Sequence, residues 1–197
     1  MTTTHAVISC LHANLAALEA VLEDIDQQGI STITCLGDLV GYGPQPNEVV
    51  QLVRERAIPT CQGCWDEHII DGLNACECSY PSQLAEKRGH RAHHWTADQL
   101  TEENKAFWAG LPMTLRKDQL LFVHGSPNSQ HEYLLPDMNA FVALKRVETR
   151  CRNSFLWTYA SALHQRTEWR LDPGEGASSW HEDPPRRNDD SSDERHC

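Results

Sequence analysis

His5-Ala-Val-Ile-Ser9, then the periodic set Leu15, Leu18, Val21, Leu22 and Ile25, then Thr32-Ile-Thr-Cys-Leu36, reads as strand, helix, strand. The first run is short and apolar, as a buried strand requires. The second set recurs at helical spacing and falls on one face, with Asn14 placed to cap it and Gly29 to stop it. The third run repeats the first. Alternation of this kind implies an α/β fold with at least one largely parallel sheet.

The pattern continues outward. Gly41-Tyr-Gly-Pro-Gln-Pro46 reads as a loop, and Val49, Val50, Leu52 and Val53 as the apolar face of a second helix. Ile58-Pro-Thr-Cys-Gln62 reads as a third strand, with its proline near the start where a missing N–H matters least. Gly89-His-Arg-Ala-His-His-Trp95 reads as a solvated polar segment ahead of a helix start at Thr96. Thr101 caps a helix through Phe107, closed by Gly110 and Pro112. Leu115, Lys117-Asp118 and Leu120-Leu-Phe-Val123 form a hairpin into a core strand. Trp95 and Trp108 are expected in the core. Two regions follow: a domain over residues 1–150 and a divergent tail over 151–197. From Leu171 onward the only large apolar residues are Leu171 and Trp180, so the tail is expected to be largely disordered.

Composition excludes several roles. The chain has 197 residues, 28 acidic and 17 basic, for a formal charge of −11. Phosphate-backbone binding needs clustered Lys and Arg, so nucleic acid held by bulk charge is not expected. No apolar run approaches the roughly 20 residues of a membrane-spanning helix. The start, Met1-Thr-Thr-Thr-His5, lacks the features of a secretory signal, and a cytoplasmic location is expected. In that compartment eight cysteines argue for metal binding, catalysis or burial rather than disulfides.

In α/β folds, sites form beyond the carboxyl ends of strands. Those ends deliver Cys10 and His12 after the first strand, Asp38 after the second, Cys64 after the third and His124 after Leu120–Val123. Each is a potential metal ligand. Parallel strands bring such residues to one edge of the sheet.

The runs Ala6-Val-Ile-Ser-Cys-Leu-His-Ala-Asn14, Cys35-Leu-Gly-Asp-Leu-Val-Gly-Tyr-Gly-Pro-Gln-Pro-Asn-Glu48, Gly63-Cys-Trp-Asp66 and Val123-His-Gly-Ser-Pro127 resemble the calcineurin-like metallophosphoesterases, most of all their small bacterial phosphodiesterase branch. The resemblance covers about residues 4–150. It implies a four-layer α/β/β/α sandwich, two mixed sheets flanked by helices, incomplete at the C-terminus. It also implies one or two divalent cations (Mn, Ni, Fe, Zn or Mg) and hydrolysis of a small phosphomonoester or phosphodiester by a hydroxide shared between them. Asp38 matches the carboxylate bridging both metals, His12 a ligand of the first and His124 a ligand of the second; Asp38 and His12 are the expected catalytic positions.

Two departures predict impaired activity. The family's first motif reads Asp-x-His, where this chain has Cys10-Leu-His12. Its third reads Gly-Asn-His-Asp, where this chain has Gly63-Cys-Trp-Asp66. Cys10 and Cys64 can be thiolate ligands for Zn²⁺, small residues in a site that has lost metal, or positions where the recorded sequence is altered. A non-catalytic remnant that keeps the fold is the alternative. A zinc-thiolate structural module of Cys61, Cys64, Cys76 and Cys78 is a further one, although alternation points Cys61 away from Cys64. Burial is the expected role of Cys35 and Cys61. Tyr42 and Tyr133 are expected on loops facing the cleft.

The family's closing Gly-His-x-His is missing. Yet Leu156-Trp-Thr-Tyr-Ala-Ser-Ala162, read one base later, can encode Cys-Gly-His-Thr-His. The chain is therefore expected to leave its ancestral reading frame between about residues 145 and 156.

Overall fold

The structure is a computed structural model and describes residues 4–69, 80–117, 120–134 and 155–157. Its elements are β1 (His5–Ile8), α1 (Leu15–Gln27), β2 (Thr32–Cys35), α2 (Pro46–Glu55), α3 (Gln83–Gln99), α4 (Glu102–Ala109), β3 (Thr114–Lys117), β4 (Leu120–Val123) and β5 (Phe155–Trp157). The fold is mixed α/β. Strands β1 and β2 pair in parallel, with Ile8 opposite Cys35. Strand β4 pairs antiparallel with β3 and parallel with β5.

Side-chain alternation stacks these layers. Ala6 and Ile8 of β1, with Ile33 and Cys35 of β2, face the helices and pack with Leu18, Leu22 and Ile25 of α1, Val49, Val50 and Val53 of α2 and Trp108 of α4. On the opposite face Val7 packs with Leu120 and Phe122 of β4 and Leu115 of β3. The first sheet therefore lies between helices and the second sheet. Leu121 and Val123 alternate to the far face of β4 and are buried there as well.

The caps explain where the helices begin. The Asn14 side chain accepts a hydrogen bond from Ala17 N at 3.2 Å, and Pro46 occupies the first turn of α2, where no N–H is needed. Thr101 caps α4 through Asn104 N.

Three expectations need correction. The expected third strand at 58–62 is reduced to a single parallel bridge, Thr60 to Cys35, because Pro59 has no N–H to extend a ladder. His90, His93 and His94 do not precede a helix. They lie inside α3, which starts at Ser82, whose hydroxyl accepts from Ala85 N. Trp95 is 42% exposed on that helix, whereas Trp108 is fully buried as expected. Cys76, Cys78, Cys151 and Cys197 lie outside the described residues, as does the tail apart from β5. Among the described residues no helix is long and apolar enough to cross a membrane.

Candidate metal centre

The loops after β1 and β2 run side by side. Cys10, His12 and Ala13 donate backbone N–H bonds to the carbonyls of Gly37, Asp38 and Leu39 at 2.8–3.0 Å. Following them bends the chain sharply. Cys10, His12, Ala13 and Asp38 all adopt positive φ, between 46° and 56°, a left-handed conformation that costs a residue with a Cβ about 1–2 kcal/mol. Such strain gathers where surrounding structure holds a side chain in place for use.

The result is convergence on one atom. Asp38 Oδ2 lies 3.7 Å from His12 Nε2, 3.4 Å from His124 Nε2, 3.9 Å from Cys10 Sγ and 3.9 Å from Cys64 Sγ. The donors form two sets that share Asp38: Cys10 with His12, and Cys64 with His124. Asp38 is buried, and its other oxygen accepts Trp65 N–H at 2.9 Å, which fixes the carboxylate plane.

Each imidazole is oriented from behind. His12 Nδ1 donates to the Val40 carbonyl at 3.1 Å, and His124 Nδ1 donates to the Leu36 carbonyl at 2.8 Å. A carbonyl only accepts, so Nδ1 carries a hydrogen and Nε2 is the ring nitrogen turned toward Asp38. Asp66 organises the backbone. Its carboxylate accepts N–H bonds from Asp38, Leu39 and Gly63 at 2.7–3.1 Å. Burial and the neighbouring Asp38 carboxylate push the Asp66 carboxyl up, against the pull of these N–H groups.

The two loops can approach this closely only because both carry glycine. A Cβ on Gly37 would run into Gly63 N and the Cys61 carbonyl, and one on Gly63 into Asp38 N and Oδ1. Trp65, in the position of the family's histidine, is buried. It packs against Tyr42 with ring centroids 4.3 Å apart and planes tilted by 49°, and meets His12 edge-on at 5.8 Å. Tyr42 is 57% exposed on this rim, and Tyr133 is 43% exposed on the loop after His124.

The donor chemistry fits a divalent transition metal. Two imidazole nitrogens, two thiols and a shared carboxylate oxygen suit a borderline cation better than Mg²⁺. The Cys64 thiol is pushed up by burial and by the Asp38 and Asp66 carboxylates, so a cation there has to displace its proton.

A model of the calcineurin-like phosphoesterase superfamily domain matches residues 4–153. The chain belongs to that superfamily. Among its relatives, the uncharacterized protein MJ0912 of Methanocaldococcus jannaschii is 38% identical over 138 residues, 67% of this chain and 54% of that protein. The chain thus spans about half the length of this curated relative. The crystal structure of a metallophosphoesterase from Sphaerobacter thermophilus superposes with a TM-score of 0.56 at 35% identity, covering 71% of this chain and 54% of that one. A hypothetical protein PH1004 from Pyrococcus horikoshii shares the fold at TM-score 0.62 and 22% identity, covering 81% and 69% of the two chains.

The structure brings together every site residue expected of this superfamily member: Cys10, His12, Asp38, Cys64 and His124. It separates Cys61 from Cys64. Cys61 packs between the sheets with Leu36 and Phe122, whereas Cys64 packs with Trp65 and Tyr80. Sequence reasoning missed the organising role of Asp66. It also missed a second cluster, Glu67, His68 and His131, whose members meet only through tertiary packing.

Proposed function

We propose that this chain is a metal-dependent phosphoester hydrolase of reduced activity, acting on a small phosphomonoester or phosphodiester in the cytoplasm. The observation that carries the reading is the convergence of four ligand atoms on Asp38 Oδ2. Asp38 would bridge two cations, with Cys10 and His12 on one and Cys64 and His124 on the other. Divalent cations held there would polarise phosphoryl oxygens, lower the pKa of water and neutralise developing charge. The protein's own part is to hold the ligands. The Val40 and Leu36 carbonyls orient the imidazoles, Trp65 N–H orients Asp38, and Tyr42 offers an exposed ring beside the site for the organic group of the ester.

Reduced activity follows from thiols at two positions where the family has oxygen ligands. It follows also from the missing Gly-His-x-His. The domain over residues 1–150 is proposed to adopt the four-layer sandwich, with β5 beyond that boundary adding a strand to its second sheet. The burial of Leu121 and Val123 on the far face of β4 supports a further layer there. The frame reading gains support from topology. Strand β5 runs parallel to β4 with Trp157 opposite Phe122, so its carboxyl end lies at the edge from which His124 projects. Read one base later, the codons of 157–161 would encode Gly-His-Thr-His directly after that strand's start. The nucleotide sequence decides this: codons that cannot encode Gly-His-x-His in the shifted frame refute it.

The functional test is hydrolysis of bis-p-nitrophenyl phosphate by purified protein supplied in turn with Mn²⁺, Ni²⁺ and Zn²⁺, beside Asp38→Ala. Metal-dependent turnover abolished by Asp38→Ala is the expected result. Turnover no higher than that of the variant with any metal would leave a non-catalytic remnant of the fold.

A further inference from the structure

A second cluster of metal-ligating side chains lies apart from Asp38. Glu67 and His68 follow Asp66 on one loop, and His131 stands on the loop after β4. His131 Nε2 lies 2.7 Å from Glu67 Oε2, and His68 Nε2 lies 3.8 Å from the same oxygen. The two imidazole rings stack at 6.3 Å with an interplanar angle of 25°. All three ligand atoms fall within 4.8 Å of one another. Independently, His68 Nδ1 and His131 Nδ1 are buried without a hydrogen-bond partner.

From this geometry we propose that Glu67, His68 and His131 form a separate site for one divalent transition cation of the Zn²⁺ type. An ordinary ion pair accounts for His131 alone. A separation of 3.8 Å is too long for a hydrogen bond, so the carboxylate leaves His68 unserved. A cation resolves this, because it takes the lone pair of each neutral imidazole and the carboxylate at once. Ligands on a tetrahedral Zn²⁺ at about 2.1 Å stand about 3.4 Å apart, and half-exposed side chains reach that spacing by small rotations. Two imidazoles and a carboxylate favour Zn²⁺, Ni²⁺ or Co²⁺ over Mg²⁺.

The site would work as a clip. It joins the loop that carries Cys64 to the loop that follows His124. Gln130 already bridges the same two loops, donating to the Gln62 backbone carbonyl at 3.1 Å and to its side-chain oxygen at 3.2 Å. Binding there would hold Cys64 and His124 in register without contacting substrate.

Co²⁺ distinguishes the two centres by colour. The cluster around Asp38 contains thiols and gives sulfur-to-cobalt charge-transfer absorption. The Glu67 cluster contains only nitrogen and oxygen and gives weak ligand-field bands. Full-length protein and the His131→Ala and Glu67→Gln variants would be titrated with Co²⁺, with bound metal counted after equilibrium dialysis and folding checked by circular dichroism. The expected result is the loss of one equivalent of Co²⁺ in both variants, with any thiolate band unchanged. Zn²⁺ should also raise the Tm of the wild type more than that of either variant. Folded variants that bind as many equivalents as the wild type would overturn the proposal. The outcome is independent of catalysis: a wild type without a thiolate band, yet losing one equivalent on His131→Ala, supports this site while counting against metal at Asp38.

Discussion

The two sides of Asp38 carry the same donors, one thiol and one imidazole, in different surroundings. Cys10 and His12 are partly exposed beneath Tyr42, whereas Cys64 and His124 are each 4% exposed. A cation on the open side would exchange ligands with water at little expense. The sealed side must strip a proton from a buried thiol before a cation can settle, and it relies on close loop packing to stay in place. Equal chemistry in unequal burial would make the sealed side the weaker half of the candidate centre.

The largest effect should come from restoring oxygen and nitrogen ligands. Cys10→Asp with Cys64→Asn is expected to raise Mn²⁺-supported phosphodiester turnover by about tenfold or more, since hard cations prefer oxygen to sulfur. Cys64→Asn alone should account for most of the gain, because it removes the buried thiol. Metal titration of the two single variants checks the ranking. Equal gains from Cys10→Asp and Cys64→Asn would erase the difference between the sides.

On stability rather than turnover, the largest effect belongs to Gly63→Ala. Its methyl would run into Asp38 N and Oδ1, and the backbone nitrogen cannot swing aside, so unfolding free energy should fall by about 3 kcal/mol. Denaturant melts of wild type and variant measure this. An unchanged midpoint would show that the loops have more room than their packing indicates.

Some of this was legible in the sequence and some was not. Strands β1 and β2 with α1 between them follow from period and capping, because local apolar pattern and tertiary packing agree over residues 5–36. The strand-end rule then gathers Cys10, His12, Asp38, Cys64 and His124, since parallel strands deliver their successors to one edge. The start of helix α3 is not legible from periodicity because its buried set is Gly89, His93 and Thr96, which carries no apolar stripe. Its signal was the Ser82 cap. Glu67, His68 and His131 were out of reach for another reason: two loops far apart in sequence meet only once both sheets are stacked.

His93 tests the sealed side through pH. It lies fully buried in α3 against Trp65, at 5.8 Å between ring centroids. Burial pushes its imidazole down to about 4; His94, His68 and His90 add to this, and the nearby Trp65 backbone opposes it. The unfolded chain therefore binds more protons than the folded one between about pH 6.5 and 4. Stability should be fully present above 6.5 and decline as pH falls toward 4, by on the order of 2 kcal/mol. His93→Leu should flatten that segment of the Tm profile. A variant that keeps the wild-type slope would place the titrating group elsewhere.

The smallest effect belongs to the open side. Tyr42 rests on Trp65 and the edge of His12, with most of its ring in solvent. Burial and nearby acidic groups push its hydroxyl up to about 12, so it stays neutral across the working range and offers a ring rather than a charge. Stacking of an aryl group on such a ring contributes about 1 kcal/mol. Tyr42→Ala should therefore raise KM for an aryl phosphodiester roughly fivefold, with kcat little changed and no effect on an alkyl ester of the same phosphate. The paired substrates carry the argument. A loss shared by aryl and alkyl esters would mean that Tyr42 supports His12 instead of the substrate, and that the open side too depends on packing to hold its ligands.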